Sequence, residues 1–186
     1  MKLEIDAPQR PTRDIRHDRL LVLRDAHRTL IALADGSDSG AASQAAAALT
    51  VRELARCFRN GTLPDNSRDW EMVLQGIDLT VFKDPVAGET SALVLLVQQN
   101  VVVGASVGDS LAYTVPTVGE AQLLTARYRD EPRIGTGMAA PIGFGPVKLN
   151  GKLITRRAAE VDPRGVPFTI AAAEKPRSKR HFLATP

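Results

Sequence analysis

The sequence predicts an α+β fold in which antiparallel sheets carry helices on their outer faces. Two observations carry that prediction. Short apolar runs closed by polar turn pairs come in adjacent sets of two or three, as strands that fold back on one another do. Two longer segments with helical apolar spacing separate these sets. No strand alternates with a helix in the βαβ manner of a dinucleotide fold, and no stretch of the chain repeats.

The elements follow in order. RLLVLRD (Arg19–Asp25) and HRTLIALADG (His27–Gly36) are apolar runs with only a few residues between them, so a hairpin is expected. Ala-rich sequence then continues to Arg59, with Ala47, Val51, Leu54 and Phe58 at helical spacing and Asn60-Gly61 as the stop. Trp70–Phe82 is a second amphipathic helix, broken by Lys83-Asp84-Pro85 and Gly88. Ser91–Val97, Val101–Ser106 and Leu111–Val115 read as strands, with Gln98-Gln99-Asn100 and Gly108-Asp109 between them. AQLLTARY (Ala121–Tyr128) is a short strand or helix. Gly135–Gly145 reads as a Gly/Pro-rich loop, and VKLNGKLIT (Val147–Thr155) as a last hairpin that turns at Asn150-Gly151.

Composition narrows the functional classes. The 186 residues suffice for one domain with a core, which must be built from Ala, Val, Leu and Ile because aromatics are scarce. No apolar run approaches the ~20 residues that cross a bilayer, and the first residues lack the apolar stretch of a signal peptide. Cytoplasmic residence is therefore expected, with no membrane partner. The lone Cys57 excludes a disulfide framework and a Cys-rich zinc site. Charge is uneven. From Gly151 onward eight Lys/Arg face three acids, a net of +5 that leaves −2 for residues 1–150. The basic part has no interleaved aromatics and no nucleic-acid motif, so a solvated, loosely ordered tail is expected from about residue 155, rather than a nucleic-acid arm. Within it, only VPFTIAAA (Val166–Ala173) offers a short strand or helix.

Three segments could carry chemistry. Asp35-Gly36 ends an apolar strand, where a carboxylate is held rigidly and the glycine lets a backbone carbonyl approach an ion. Asp18 precedes the first strand of the same hairpin and so lies at the same end as Asp35. Two carboxylates there repel unless cations or arginines sit between them. Val107-Gly108-Asp109-Ser110 lies between strands. Taken singly, Asp35-Gly36 and Gly108-Asp109 are ordinary turns, and Asp18 is a solvated strand approach.

Taken together and in this order, the segments resemble the PPM-type metal-dependent Ser/Thr protein phosphatases (protein phosphatase 2C). Arg13 followed by Asp18 (RDIRHD) resembles the family's first motif, and LIALADG its strand ending in Asp-Gly. GAASQAAAAL resembles the small-residue entry into its first long helix, and GETSALVLLV its Gly-x-Thr-Thr-Ala strand. VVVGASVGDSLAYTV resembles its Gly-Asp-Ser strand and turn, and is the most specific stretch. The resemblance covers about residues 1–154, a partial phosphatase domain, with residues 155–186 as the tail. It implies two stacked antiparallel sheets flanked by helices, and two Mn²⁺ or Mg²⁺ ions that activate a water toward phosphoserine or phosphothreonine of a protein substrate. It also implies that Asp35 bridges the metals and that the Gly36 carbonyl binds one of them. Asp18 would sit beside their waters, Arg13 would grip the phosphate, and Asp109 would lie near an additional metal position.

The departures from the pattern are specific. His17 stands where the family has an acid, and Leu111 where it has an Arg. After Asp109 there is no further Asp-Gly or Asp-Asn to supply metal carboxylates. Arg156–Glu160 can be encoded CGA CGG GCT GCT GAA. Read one base later, with the G that begins Val161, this spells Asp-Gly-Leu-Leu-Lys, the expected motif in the expected place, so a frameshift near Ile154 is one explanation. The sequence thus predicts a metal-dependent phosphatase with weak or no turnover. The alternatives are a pseudo-phosphatase or truncated remnant acting as a binding module, and an unrelated α+β binding domain whose Asp-Gly turns are coincidental.

Overall fold

The computed structural model describes residues 2–3, 18–38, 40–125, 132–156, 169–170 and 172–173. The first hairpin is β2 (Asp18–Arg24) and β3 (Arg28–Gly36), preceded by the short β1 (Lys2–Leu3). Its turn is fixed by Asp25, whose carboxylate accepts the backbone N–H groups of His27 and Arg28 at 2.8 and 2.7 Å and pairs with the Arg28 guanidinium at 2.8 Å. Helix α1 (Ala41–Arg59) and helix α2 (Ser67–Phe82) follow. Asn66 caps α2 by accepting the N–H of Asp69 at 2.9 Å, so the helix begins three residues before Trp70, where apolar spacing alone had started it.

The strands β4 (Thr90–Gln98) and β5 (Val101–Val107) return to β3, and β8 (Ile142–Lys148) closes that sheet in the order β2-β3-β4-β5-β8, antiparallel throughout. A second, four-stranded sheet has the order β10-β9-β6-β7, from β6 (Leu111–Pro116), β7 (Gln122–Leu123), β9 (Gly151–Arg156) and β10 (Thr169–Ile170). The last short strand, β11 (Ala172–Ala173), pairs with β1.

Alternation along the central strands sorts the core into two layers. Leu30, Ala32, Ala92, Val94, Leu96, Val103 and Ala105 face the helices and pack with Leu49, Leu54, Trp70, Leu74, Ile77 and Val81. Ile31, Leu93, Leu95, Val97 and Val102 face the other way and pack with Ala112 and Leu153 of the second sheet. Strand β4 is buried from Thr90 to Val97 because it is covered on both faces. The arrangement is the stacked pair of antiparallel sheets that the resemblance implied, with the helices against the outer face of the larger sheet. No helix among the described residues is long and apolar enough to cross a membrane.

Two turns differ from the sequence reading. Gly108-Asp109 does not close a hairpin, because β6 pairs with β7 and β9 and belongs to the second sheet. Asn150-Gly151 likewise joins β8 of the first sheet to β9 of the second. Both pairs redirect the chain between layers, and a turn-forming dipeptide does that as readily as it closes a ladder. The Gly/Pro-rich stretch expected to be a loop ends in β8, an edge strand, where Pro146 takes no central ladder position. The expected tail lies mostly outside the described residues. Within it, Thr169 and Ile170 pair with Ile154 and Leu153 at the edge of the second sheet.

Candidate functional site

The hairpin register brings two of the sequence candidates side by side. Asp18 and Asp35 are direct partners across β2 and β3, and Asp35 is in turn the partner of Ser91 on β4. Residues directly opposite in an antiparallel pair share a face. Asp35 is two residues on from Leu33 and four from Ile31, both of which pack in the inter-sheet core, so this row of three lies on the face turned toward the second sheet. Both aspartates are half-buried at the end of the sheet. Facing carboxylates destabilise a strand pair unless positive charge lies close.

The third candidate arrives at the same end from the neighbouring strand. Ala92 pairs with Val107, so Gly108 and Asp109 follow β5 past Ser91. Gly108 has φ +84°, and a Cβ there would lie 2.8 Å from the Ser91 Cβ, so a side chain is excluded on both counts. The crossing is tied down by the buried hydroxyls of Ser91 and Ser110, 3.0 Å apart. That bond links the row of Asp18, Asp35 and Ser91 to the start of β6. Asp109, whose side chain is 22% exposed, lies 3.7 Å from the guanidinium of Arg133.

Asp18, Asp35, Gly36 and Asp109 therefore sit at one end of the sandwich. Arg13 lies outside the described residues. Sequence reasoning passed over Ser91, Ser110, Arg133 and Asp78. Asp78 of α2 is buried, and its carboxylate accepts the N–H groups of Gly135 (2.7 Å), Gly137 (3.1 Å) and Ala139 (3.0 Å). It fixes the loop that carries Arg133. A signal was present, since Asp78 falls inside the apolar stripe of Leu74, Ile77 and Val81, where a charge needs a buried partner.

The donor chemistry admits a hard divalent ion. Side chains on facing strand positions have Cβ atoms ~5 Å apart, close enough for two carboxylates to reach one ion whose shell is filled by backbone and water oxygens. The same residues do not fit a two-ion centre. Among the described residues no group of three or more Asp, Glu, His or Cys side chains could hold a metal. The end of β9 reaches this region too, because Arg156 is the register partner of Leu111, two residues after Asp109. Among the described residues, the second sheet thus brings an arginine position to that edge.

No protein-family model matches the chain, and no curated protein does. Solved structures do match. The serine/threonine phosphatase Stp1 from Staphylococcus aureus aligns with TM-score 0.66 and 18% identity, over 83% of this chain and 76% of that one. The serine/threonine phosphatase of S. agalactiae aligns with TM-score 0.59 and 20% identity, over 83% and 76%. RsbX in complex with magnesium aligns with TM-score 0.54 and 16% identity, over 75% and 64%. The fold is that of bacterial serine/threonine phosphatases, the class that the sequence resembles.

Proposed function

We propose that this chain is a PPM-type metal-dependent phosphatase domain that acts on phosphoserine or phosphothreonine of a cytoplasmic protein, with slow turnover. The observation that carries the reading is the Asp18–Asp35 register pair at one end of the sandwich, with Asp109 crossing beside it. The shared fold supports the class of reaction, and the magnesium in RsbX supports a hard divalent ion, Mn²⁺ or Mg²⁺.

Asp35 and the Gly36 carbonyl would hold the ion, and Asp18 would orient water beside it. When bound, the ion supplies a water of lowered pKa as nucleophile. Arg13 would grip the phosphate through its guanidinium fork. Asp109 is partly neutralised by Arg133 and would stay peripheral. Slow turnover follows from the donor count. With two carboxylates in reach among the described residues, the attacking water is loosely placed, and a misplacement of about 1 Å costs ~100-fold in rate.

Hydrolysis of an aryl phosphate with and without Mn²⁺ tests this. The expected rate is near background, and Asp35→Asn changes it little. Robust Mn²⁺-dependent turnover that Asp35→Asn abolishes would show that further ligands complete the centre, and would overturn the slow-turnover part. If neither Mn²⁺ nor Mg²⁺ binds, the phosphatase reading fails.

A further inference from the structure

We propose that Arg133 is a phosphate-binding residue at the rim of this site and that Asp78 is the residue that positions it. The proposal rests on the phosphatase reading and extends it to a residue outside the motifs that carry the resemblance.

The argument starts from charge. Asp18, Asp35 and Asp109 converge at one end of the sandwich, and a phosphate monoester bears negative charge of its own. A substrate approaching there needs a fixed cation on the protein besides any ion held by the aspartates. Arg133 supplies one. Its stem passes the crossing, with the Cγ 3.8 Å from where a Gly108 Cβ would stand, and its side chain is 26% exposed. Among the described residues its only ion pair is with Asp109. At 3.7 Å this is too long for a hydrogen bond. A guanidinium carries five N–H donors in a planar fork that matches phosphate oxygens, with contacts of about 2.7–2.9 Å. A phosphate group therefore offers Arg133 shorter bonds than Asp109 gives it.

The loop is built to hold the arginine still. Asp78 accepts three backbone N–H groups within six residues of it. Ile134, next to the arginine in the chain, and Thr90 exchange backbone bonds of 3.0 Å in both directions. The Thr136 hydroxyl donates to the Arg133 carbonyl at 2.8 Å. Gly135, at φ +101°, is packed so closely that a Cβ would run into the Gly88 carbonyl. An arginine on a fixed backbone loses less freedom on binding an anion than one on a free loop.

The test is titration of the full chain with inorganic phosphate in metal-free buffer, followed by NMR shifts or calorimetry. The parent should bind phosphate. Arg133→Ala should weaken binding about tenfold or more, as expected for the loss of a charge-assisted hydrogen bond. Arg133→Lys should recover part of it, and Asp78→Asn should weaken it without altering Arg133 itself. Arg133→Ala removes a half-buried side chain, and far-UV circular dichroism checks that the variant folds. If folded Arg133→Ala binds phosphate as the parent does, or if the parent binds none, the proposal is overturned. Mn²⁺ titration of the parent and Asp35→Asn separates it from the reading beneath it. Loss of phosphate binding in Arg133→Ala with no Mn²⁺ binding sustains the inference and sinks the metal-dependent reading, and the converse pattern does the reverse.

Discussion

Replacing Asp78 by Ala should be among the most destabilising single changes outside the apolar core. Asp78 is 2% exposed and its carboxylate accepts the N–H groups of Gly135, Gly137 and Ala139. A hydrogen bond to a charged group contributes ~1.5–3 kcal/mol. Ala139 is buried, so its N–H loses the full amount, whereas Gly135 and Gly137 are half-buried and water restores part of theirs. The sum is about 3–5 kcal/mol, a large share of the ~5–15 kcal/mol that holds a typical domain together. In a chain of this length each kcal/mol moves the melting temperature by ~2–4 °C, so a drop of about 6–20 °C is expected. Trp70 is the single tryptophan and is fully buried on the same helix, so its fluorescence reports unfolding in urea. A loss below about 1 kcal/mol would refute the reasoning, because water would then satisfy all three N–H groups at no net cost.

Two further outcomes follow. The Asp25 carboxyl is pulled down from 3.8 to about 2, first by the His27 N–H, then by the Arg28 guanidinium and the Arg28 N–H. Because the folded value lies below the unfolded one, its stabilisation is complete above about pH 3.8 and disappears as pH falls through about 2. Carbon-detected NMR titration of that carboxyl should show a midpoint near 2, and a midpoint at the ordinary aspartate value contradicts the turn geometry. Gly108→Val should lower stability by ~1–3 kcal/mol through the positive φ alone, with more from the clash at Ser91. An unchanged urea midpoint would mean that the crossing between sheets is laxer than its packing implies.

Much of the site was legible because it is local. The β2–β3 hairpin is a short-range structure, so its length and turn fix the register, and the register places Asp18 opposite Asp35. Asp109 was placed near them on the strength of a turn between strands, and that turn proved to lead into the other sheet. A Gly-Asp or Asn-Gly pair looks the same whether the next strand folds back or crosses over. The difference lies in which apolar faces meet far along the chain, as Leu153 and Ala112 meet Leu93 and Leu95. The first part of β8, Ile142 to Gly145, was read as loop because Pro141, Gly143 and Gly145 crowd it, and only the strand's place at the sheet edge makes that composition tolerable. Arg133 and Asp78 went unread because their partners are far away in sequence. Asp78 meets its N–H donors 57 to 61 residues later.

The central claim is that Asp35 and the Gly36 carbonyl hold a hard divalent ion with Asp18 beside its waters, and calorimetric titration with Mn²⁺ tests it most directly. The account predicts weak binding of one ion to the parent chain and none to Asp35→Asn, with the variant still folded. Undiminished Mn²⁺ binding in Asp35→Asn, or no binding to the parent, would contradict it.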